Sequence, residues 1–314
     1  MEAVVDVALP VFAVMAAGWL AGRTRLLGPA SSEALNAFVY WFALPPLLVL
    51  SMAQVPLARI FAWDYIAVVC LGMAATAVPA ALVGRYVFAN RGGALSLHTM
   101  VALFANTGYM GIPLFLAAFG PEGTLPAIIA TVINGAVVTG LAIFAVDFGE
   151  NAAAGIGRAL LRAGRAVATG PLLLAPLAGI AWQAAGLPLP LPLALVNLAG
   201  LLGAAAGPCA LFAMGLFLVG KPLAAGAGEV GWLVVAKLLV QPLATWALAL
   251  WLIPLDAEWL RGAVLMAALP TGALAFVVAQ RYGIYVQRSS AAILATTIAS
   301  VVTLSALLAV LGTH

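Results

Sequence analysis

The sequence predicts an all-α polytopic membrane protein with ten transmembrane helices arranged as an inverted repeat of five plus five. Three features predict this fold: the composition, a series of apolar segments, and a constant offset between the two halves. Of the 314 residues, 65% are hydrophobic and only 7% are charged, whereas a soluble domain is about one quarter charged. So few charges cannot cover a water-soluble surface. Soluble enzymes, nucleic-acid-binding proteins and disordered chains are therefore excluded.

Apolar segments long enough to cross a bilayer recur along the chain. The hydrocarbon core is about 30 Å thick and requires roughly 20 apolar residues per helix. The sequence shows no ten-residue segments of alternating polarity, and backbone groups in lipid must pair internally, so each segment is predicted to be a helix. The ten predicted spans are 6–22, 31–54, 62–84, 94–118, 121–148, 170–186, 192–220, 230–252, 258–282 and 286–311.

Basic residues predict the orientation of these spans, because cytoplasmic loops are enriched in Lys and Arg. Only Arg59 and Arg261 fall in even-numbered loops. The odd-numbered loops contain Arg23, Arg25, Arg85, Arg91, Arg158, Arg162, Arg165, Lys221, Arg281 and Arg288. We therefore expect the odd loops in the cytoplasm and both termini outside. The excess of Arg over Lys is typical of a GC-rich bacterial genome, so the expected location is a bacterial inner membrane.

Matching residues recur in the two halves at an almost constant offset. Four pairs lie 163 residues apart: Trp19 and Trp182, Pro29 and Pro192, Pro79 and Pro242, and Gly120 and Gly283. Five helices per copy is an odd number, so the second copy must enter the membrane from the opposite face. The predicted units are a first repeat at 1–148, a cytoplasmic linker with a surface helix at 149–169, and a second repeat at 170–314.

Two of the predicted spans contain residues that interrupt helices. The fourth contains the run from Asn106 to Pro113, with two glycines and a proline, and the ninth contains Leu269-Pro270-Thr271-Gly272 at the matching place. Interrupted segments in corresponding positions of two halves are typical of transporter binding sites. The free N–H groups at the start of each half-helix favour an anion. The alternative is a pair of proline kinks that only assist packing.

The first of these interruptions resembles a family signature. Asn106 to Leu114 is similar to the N-x-G-F/Y-x-G-I-P-L motif of the auxin efflux carrier family, and 269–271, 281–283 and 296–300 resemble its looser second motif. The chain lacks the long cytoplasmic loop of plant auxin carriers, so it resembles the compact bacterial branch, which is linked to malonate-like carboxylates.

The resemblance also implies an architecture and a mechanism. The implied fold is that of bile-acid symporters and sodium/proton antiporters, in which helices 4 and 9 break and cross at mid-membrane. Helices 3–5 and 8–10 would form a transport domain that moves, in an elevator-type mechanism, against a scaffold of helices 1, 2, 6 and 7. The scaffold would also form the contact of a homodimer.

The candidate substrate-binding residues lie at the two interruptions and on the fifth span. Amides provide both a donor and an acceptor, which suits a carboxylate or a freed backbone group. Asn134 has an alternative role, a hydrogen bond to a neighbouring helix. The predicted substrate-binding residues are Asn106, Thr107, Gly108, Tyr109, Gly111, Pro113, Asn134, Pro270, Thr271 and Gly272.

Lys237 is the one charged residue well inside a predicted span, and such groups are functional candidates. Three roles are open to it: attracting a carboxylate substrate, acting as a fixed cation that braces the crossing helices, or extending to the cytoplasmic headgroups. Gln241 lies one helical turn away and is assigned with Lys237 to charge and coupling. His98, at the start of the fourth span, is predicted to lie at the membrane interface rather than to relay protons.

The function predicted from these features is secondary transport of a small organic anion, a malonate-like or auxin-like carboxylate. The expected partners are this anion and the lipid bilayer, and no cofactor, metal or nucleic acid is expected. The sequence contains no Walker A, H-E-x-x-H or G-x-S-x-G motif and no D-x-x-D pair. We therefore expect no enzymatic activity. The alternatives are an intramembrane lipid-modifying enzyme and a membrane sensor that does not transport.

Overall fold

The computed structural model describes residues 9–150, 156–186, 193–221 and 226–311, and these form helices joined by short connections. The first residues of the predicted first span, part of the predicted linker, residue 192 and both chain ends lie outside these ranges. The helices are α1 (Leu9–Arg23), α2 (Pro29–Phe38), α3 (Leu44–Gln54), α4 (Leu57–Ile60), α5 (Trp63–Tyr86), α6 (Gly92–Leu103), α7 (Ile112–Phe119), α8 (Leu125–Ile133), α9 (Thr139–Glu150), α10 (Ile156–Ala168), α11 (Pro171–Ala184), α12 (Leu193–Phe217), α13 (Ala227–Val235), α14 (Gln241–Ala247), α15 (Ala257–Ala267), α16 (Leu274–Tyr282) and α17 (Val286–Leu311).

Several helical stretches have the length and apolarity needed to cross a membrane. The described ranges contain six of them, and a seventh if α10 and α11, which are bent by 63°, are counted as one span. The six are Pro29–Gln54, Leu57–Tyr86, Leu125–Glu150, Leu193–Phe217, Ala227–Leu252 and Val286–Leu311. The chain is therefore an all-helical, multi-pass membrane protein. The other predicted spans correspond to shorter or interrupted helices, namely α1, the α6–α7 pair, α11 and the α15–α16 pair.

Single π-helical turns interrupt several long helices. They lie at Val39–Ala43, Thr107–Gly111, Asn134–Val138, Ala236–Val240 and Leu248–Leu252. A π turn changes the direction of the side chains that follow it and is frequent at functional sites. Three of these turns contain residues predicted from the sequence to form the site, among them Asn134 and Lys237.

Glycine allows the first and seventh predicted spans to approach closely. Gly18 of α1 lies against the backbone carbonyl of Phe212, and Gly215 of α12 lies against the carbonyl of Met15. A Cβ at either glycine would collide with that carbonyl, so neither position has room for a larger residue. Small residues at helix interfaces are the usual way in which membrane helices pack without a hydrophobic driving force.

The fourth and ninth predicted spans are both interrupted in the structure. α6 ends at Leu103 and α7 begins at Ile112, with an irregular stretch and one π turn between them. α15 ends at Ala267 and α16 begins at Leu274. Glycine and proline at both places disfavour a continuous helix, so each span consists of two half-helices.

Candidate functional site

The two interruptions lie against each other and exchange backbone hydrogen bonds. The N–H of Asn106 donates to the carbonyl of Pro270 at 2.8 Å, and the N–H of Gly272 donates to the carbonyl of Phe104 at 2.9 Å. These bonds surround an isolated antiparallel bridge that joins the two segments. Irregular backbone is tolerated at membrane depth only where protein or water satisfies it, and here each break satisfies part of the other.

The half-helices that follow the breaks, Thr107–Phe119 and α16, begin with N–H groups that have no acceptor in the described part of the chain. The N–H groups of Gly108 and Tyr109 after the first break, and of Ala273 and Leu274 after the second, donate to no group within the described ranges. The side-chain nitrogen of Asn106 is also buried without a partner there. Helix N-termini carry partial positive charge as well as free donors. Both breaks therefore offer hydrogen bonds to an anion or to water.

A cavity of about 680 Å³ adjoins these donors. This volume is typical of small-molecule sites, and all five residues with free donors line the cavity. Its described lining residues are Gly22, Leu27, Gly28, Pro29, Ser32, Glu33, Asn36, Ala37, Tyr40, Phe104, Ala105, Asn106, Thr107, Gly108, Tyr109, Thr131, Gly135, Leu172, Leu216, Phe217, Val219, Lys221, Ala273, Leu274, Phe276, Val277 and Gln280. The cavity thus lies between the breaks on one side and α2 and α12 on the other.

The last carbonyl group of each half-helix that precedes a break accepts a hydrogen bond from a side chain. The ammonium of Lys237 donates to the carbonyl of Ala267, the last residue of α15, at 2.7 Å, and to Oε1 of Gln241 at 2.7 Å. Nε2 of Gln241 donates to the carbonyl of Leu103, the last residue of α6, at 3.3 Å. A cation at a helix C-terminus is stabilising. Lys237 is fully buried and is not among the cavity-lining residues, which favours the bracing role among the three.

The structure divides the ten predicted substrate-binding residues into two groups. Asn106, Thr107, Gly108 and Tyr109 line the cavity. The others pack or bond inside the protein and do not line it: Gly111, Pro113, Asn134, Pro270, Thr271 and Gly272. Among these six, the hydroxyl of Thr271 donates to the carbonyl of Val101 at 2.9 Å. The amide of Asn134 donates to the carbonyl of Ala105 at 3.2 Å, the inter-helix bond that was the alternative for this residue.

A buried acidic cluster escaped the sequence analysis. The carboxylate of Glu229 accepts hydrogen bonds from Asn90, from Tyr285 and from Nδ1 of His98, the last at 2.7 Å. It also pairs with Arg288 at 2.9 Å. His98 is fully buried in this cluster, where Glu229 supplies a buried acceptor that no local sequence pattern around His98 indicates. The described residues show no proton path through His98, and the interfacial position remains a prediction.

Asn36, Tyr40 and Lys221 also line the cavity and were not assigned to the site from the sequence. None of them lies near an interruption in the sequence, and Lys221 was counted only as an orientation signal.

Comparison with known proteins gives matches along the whole chain. Residues 3–153 and 160–308 match the family described as membrane transport protein. A protein of Rhizobium meliloti (strain 1021) named "Putative malonate transporter" is 34% identical, with 98% of this chain and 96% of that protein covered. "Uncharacterized transporter YfdV" of Escherichia coli (strain K12) is 25% identical, with 94% and 93% covered. An "Uncharacterized transporter" of Methanothermobacter thermautotrophicus is 26% identical, with 95% of each chain covered.

Proposed function

The chain belongs to the membrane transport protein family, and from this premise we propose that it is a secondary carrier of a small organic anion. The match bears out the resemblance to the auxin efflux carrier family, and the named relatives are transporters rather than enzymes. The name of the Rhizobium relative supports malonate, or a carboxylate like it, as the substrate. The proposed substrate class is therefore a short mono- or dicarboxylate.

The pair of open helix N-termini beside the cavity carries this proposal. Four backbone N–H groups, of Gly108, Tyr109, Ala273 and Leu274, and the amide nitrogen of Asn106 lack acceptors in the described part of the chain. A carboxylate has two oxygens that together accept several hydrogen bonds. Donors on helix N-termini are a standard anion site, so a carboxylate placed against the breaks would satisfy groups that the described residues leave open.

The proposed mechanism is elevator-type alternating access by a ten-helix, inverted five-plus-five fold. The two breaks occur at matching places in the two halves of the sequence, which supports the repeat. One side of the cavity consists of the breaks, and the opposite side consists of residues from α2 and α12. If the helices that carry the breaks slide against α1, α2, α3, α11 and α12, the bound anion moves with them. These five helices would form the scaffold and the contact of a homodimer.

The proposed location is a bacterial inner membrane, with both termini on the periplasmic side. The cavity extends to Gly28, Lys221 and Gln280, which lie beside the loops that carry most of the basic residues. Since basic loops are cytoplasmic, the cavity would open to the cytoplasm in this conformation. An inside-negative potential then favours export of an anion by about 2.3 kcal/mol per charge per 100 mV.

Counterflow in proteoliposomes tests the proposal. Purified protein is reconstituted with unlabelled malonate inside, and uptake of radiolabelled malonate is followed over time. We expect the wild-type protein to exchange the label. Asn106→Ala removes a donor to a charged ligand, so its apparent affinity is expected to fall at least about tenfold. Gln183→Ala is the matched control, because Gln183 of α11 also carries a side-chain amide but does not line the cavity.

Each other outcome has a distinct meaning. Exchange of no carboxylate in a panel of mono- and dicarboxylates would overturn the carrier proposal. Chemical alteration of the label would indicate an enzyme, and binding without exchange would indicate a sensor. Unchanged exchange by Asn106→Ala would leave a carrier but remove the proposed site from the breaks.

A further inference from the structure

Lys221 occupies a position in the cavity where two groups of helices meet. Its ammonium lies 4.4 Å from the ring centroid of Phe217 and 4.3 Å from that of Phe276. Phe217 is the last residue of α12, and Phe276 lies in the first turn of α16. The two rings are 5.2 Å apart in an edge-to-face arrangement. Both rings thus fix the ammonium beside the cavity through cation–π contacts.

Among the described residues, the ammonium of Lys221 has no ion-pair partner. Of the described residues that line the cavity, Lys221 is the one cation and Glu33 the one acid. No carboxylate within the described ranges forms an ion pair with Lys221. Burial lowers the pKa of the Lys221 ammonium, because lost hydration is not compensated by a negative charge. An anion that entered the cavity would supply that compensation.

Lys237 is not placed to pair with an anion in the cavity. Its ammonium is fully buried and is held by the carbonyl oxygens of Gln241 and Ala267. Phe276, by contrast, is only two residues beyond Leu274, whose N–H is one of the free donors. Lys221 therefore lies beside the first turn of α16, which carries two of the free donors, and it lines the cavity next to that turn.

We propose that Lys221 is the residue that pairs electrostatically with the carboxylate of the transported anion. The proposal rests on the proposed function, since it assigns a charge partner to that same substrate. The open N–H groups supply hydrogen bonds, and Lys221 supplies the full positive charge that hydrogen bonds alone do not. The cavity is thereby selective for anions over neutral molecules of the same size.

Binding of malonate to the purified full-length protein in detergent, measured by titration calorimetry, tests this assignment. Lys221→Gln keeps a polar side chain without the charge, and its dissociation constant for malonate is expected to rise about tenfold. Lys221→Arg keeps the charge and the cation–π contacts and should stay within about threefold of the wild type. Arg281→Gln is the matched control: it removes an exposed cation near the same loops that does not line the cavity.

The possible results separate the two proposals. If the wild type binds neither malonate nor other carboxylates, the proposed function is overturned. If the wild type binds malonate and Lys221→Gln binds it within about twofold, only the role of Lys221 is overturned. An equal loss in Lys221→Gln and Arg281→Gln would also overturn it, since the effect would then reflect general surface charge. Melting temperatures without ligand show whether each variant is folded.

Discussion

At each break, the half-helix that ends and the half-helix that begins differ in their hydrogen bonds. The carbonyl ends, at Leu103 of α6 and Ala267 of α15, accept hydrogen bonds from Gln241 and Lys237. The amide ends, at the start of the half-helix Thr107–Phe119 and of α16, keep free N–H groups within the described ranges. Helix C-termini are partially negative and N-termini partially positive. Side chains of the protein, Lys237 at one end and Gln241 at the other, therefore satisfy the carbonyl ends, while the amide ends remain available to an anion.

This difference separates stability from function at one place in the fold. A buried polar group without a partner costs free energy, and a satisfied one does not. The carbonyl ends are buried and satisfied, so substitutions there should reduce stability. The residues of the amide ends line the cavity, so we expect substitutions there to reduce binding and leave stability nearly unchanged.

Lys237→Met is expected to give the largest effect. The substitution keeps most of the side-chain volume but leaves the carbonyl of Ala267 and Oε1 of Gln241 without their donor. Hydrogen bonds to charged groups contribute about 1.5–3 kcal/mol, so the free energy of unfolding should fall by about 2–3 kcal/mol. Chemical denaturation in detergent, followed by circular dichroism, measures it. Lys221→Met is the control and should lose less than about 1 kcal/mol.

If Lys237→Met is as stable as the wild type, the contrast between carbonyl ends and amide ends is contradicted, because Lys237 is then not needed at the carbonyl ends. A stable Lys237→Met variant that had also lost malonate binding would instead favour the substrate-attracting role for this residue. The same samples therefore distinguish the bracing role from the role in which Lys237 contacts substrate.

The second-largest expected effect on stability is the energetic coupling between Lys237 and Gln241. Gln241 links the two carbonyl ends, because it accepts from Lys237 and donates to Leu103. Residues in one hydrogen-bond network are non-additive by roughly 0.5–3 kcal/mol. We expect the double variant with Lys237→Met and Gln241→Leu to lose about 1 kcal/mol less stability than the sum of the single variants. Strict additivity in the denaturation data would show that the two side chains act independently.

Much of the fold was predictable because its signals are local. Apolar length follows from bilayer thickness, and the interruptions follow from Gly and Pro at 108–113 and 270–272. The amide donors at the breaks were predictable for the same reason, since a helix start exposes N–H groups wherever it lies. The predicted residues Asn106 to Tyr109 accordingly line the cavity.

The partners of polar side chains were not predictable, because they depend on residues far away in the sequence. His98 bonds to Glu229, which is 131 residues away, and the hydroxyl of Thr271 bonds to the carbonyl of Val101, 170 residues away. The sequence surroundings of Lys237 left three roles open. The contact with Ala267 favours the bracing role, and that contact depends on how the π turn Ala236–Val240 packs against the end of α15.

Thr271→Val is expected to give a smaller loss of stability. Valine has nearly the same shape as threonine, and the substitution removes the hydroxyl that donates to Val101. One buried hydrogen bond contributes about 1 kcal/mol, so the free energy of unfolding should fall by about that amount. The free energy of unfolding of Asn106→Ala should fall by less than about 0.5 kcal/mol, since the amide nitrogen of Asn106 has no hydrogen-bond partner among the described residues. Equal losses in the two variants would contradict the distinction between satisfied and open groups.

Gly108→Ala should have the smallest effect on stability and a clear effect on binding. A Cβ at Gly108 would find its nearest neighbours, in Leu172 and Thr131, at 3.8 Å, which is ordinary contact. The backbone conformation there also accepts alanine, so the free energy of unfolding should change by less than about 0.5 kcal/mol. Nevertheless, the added methyl group lies beside the free N–H groups, where glycine allows a ligand to approach the backbone.

The dissociation constant for malonate should therefore rise at least about tenfold in Gly108→Ala, because the methyl group separates the anion from the donors. Gly135→Ala is the matched control: Gly135 lines the same cavity, and a Cβ there meets nothing within 4 Å. Equal affinity for malonate in both glycine variants would show that the anion does not bind at the N-terminus of the half-helix Thr107–Phe119. The amide ends would then be satisfied by water alone, and their contrast with the carbonyl ends would have no role in binding.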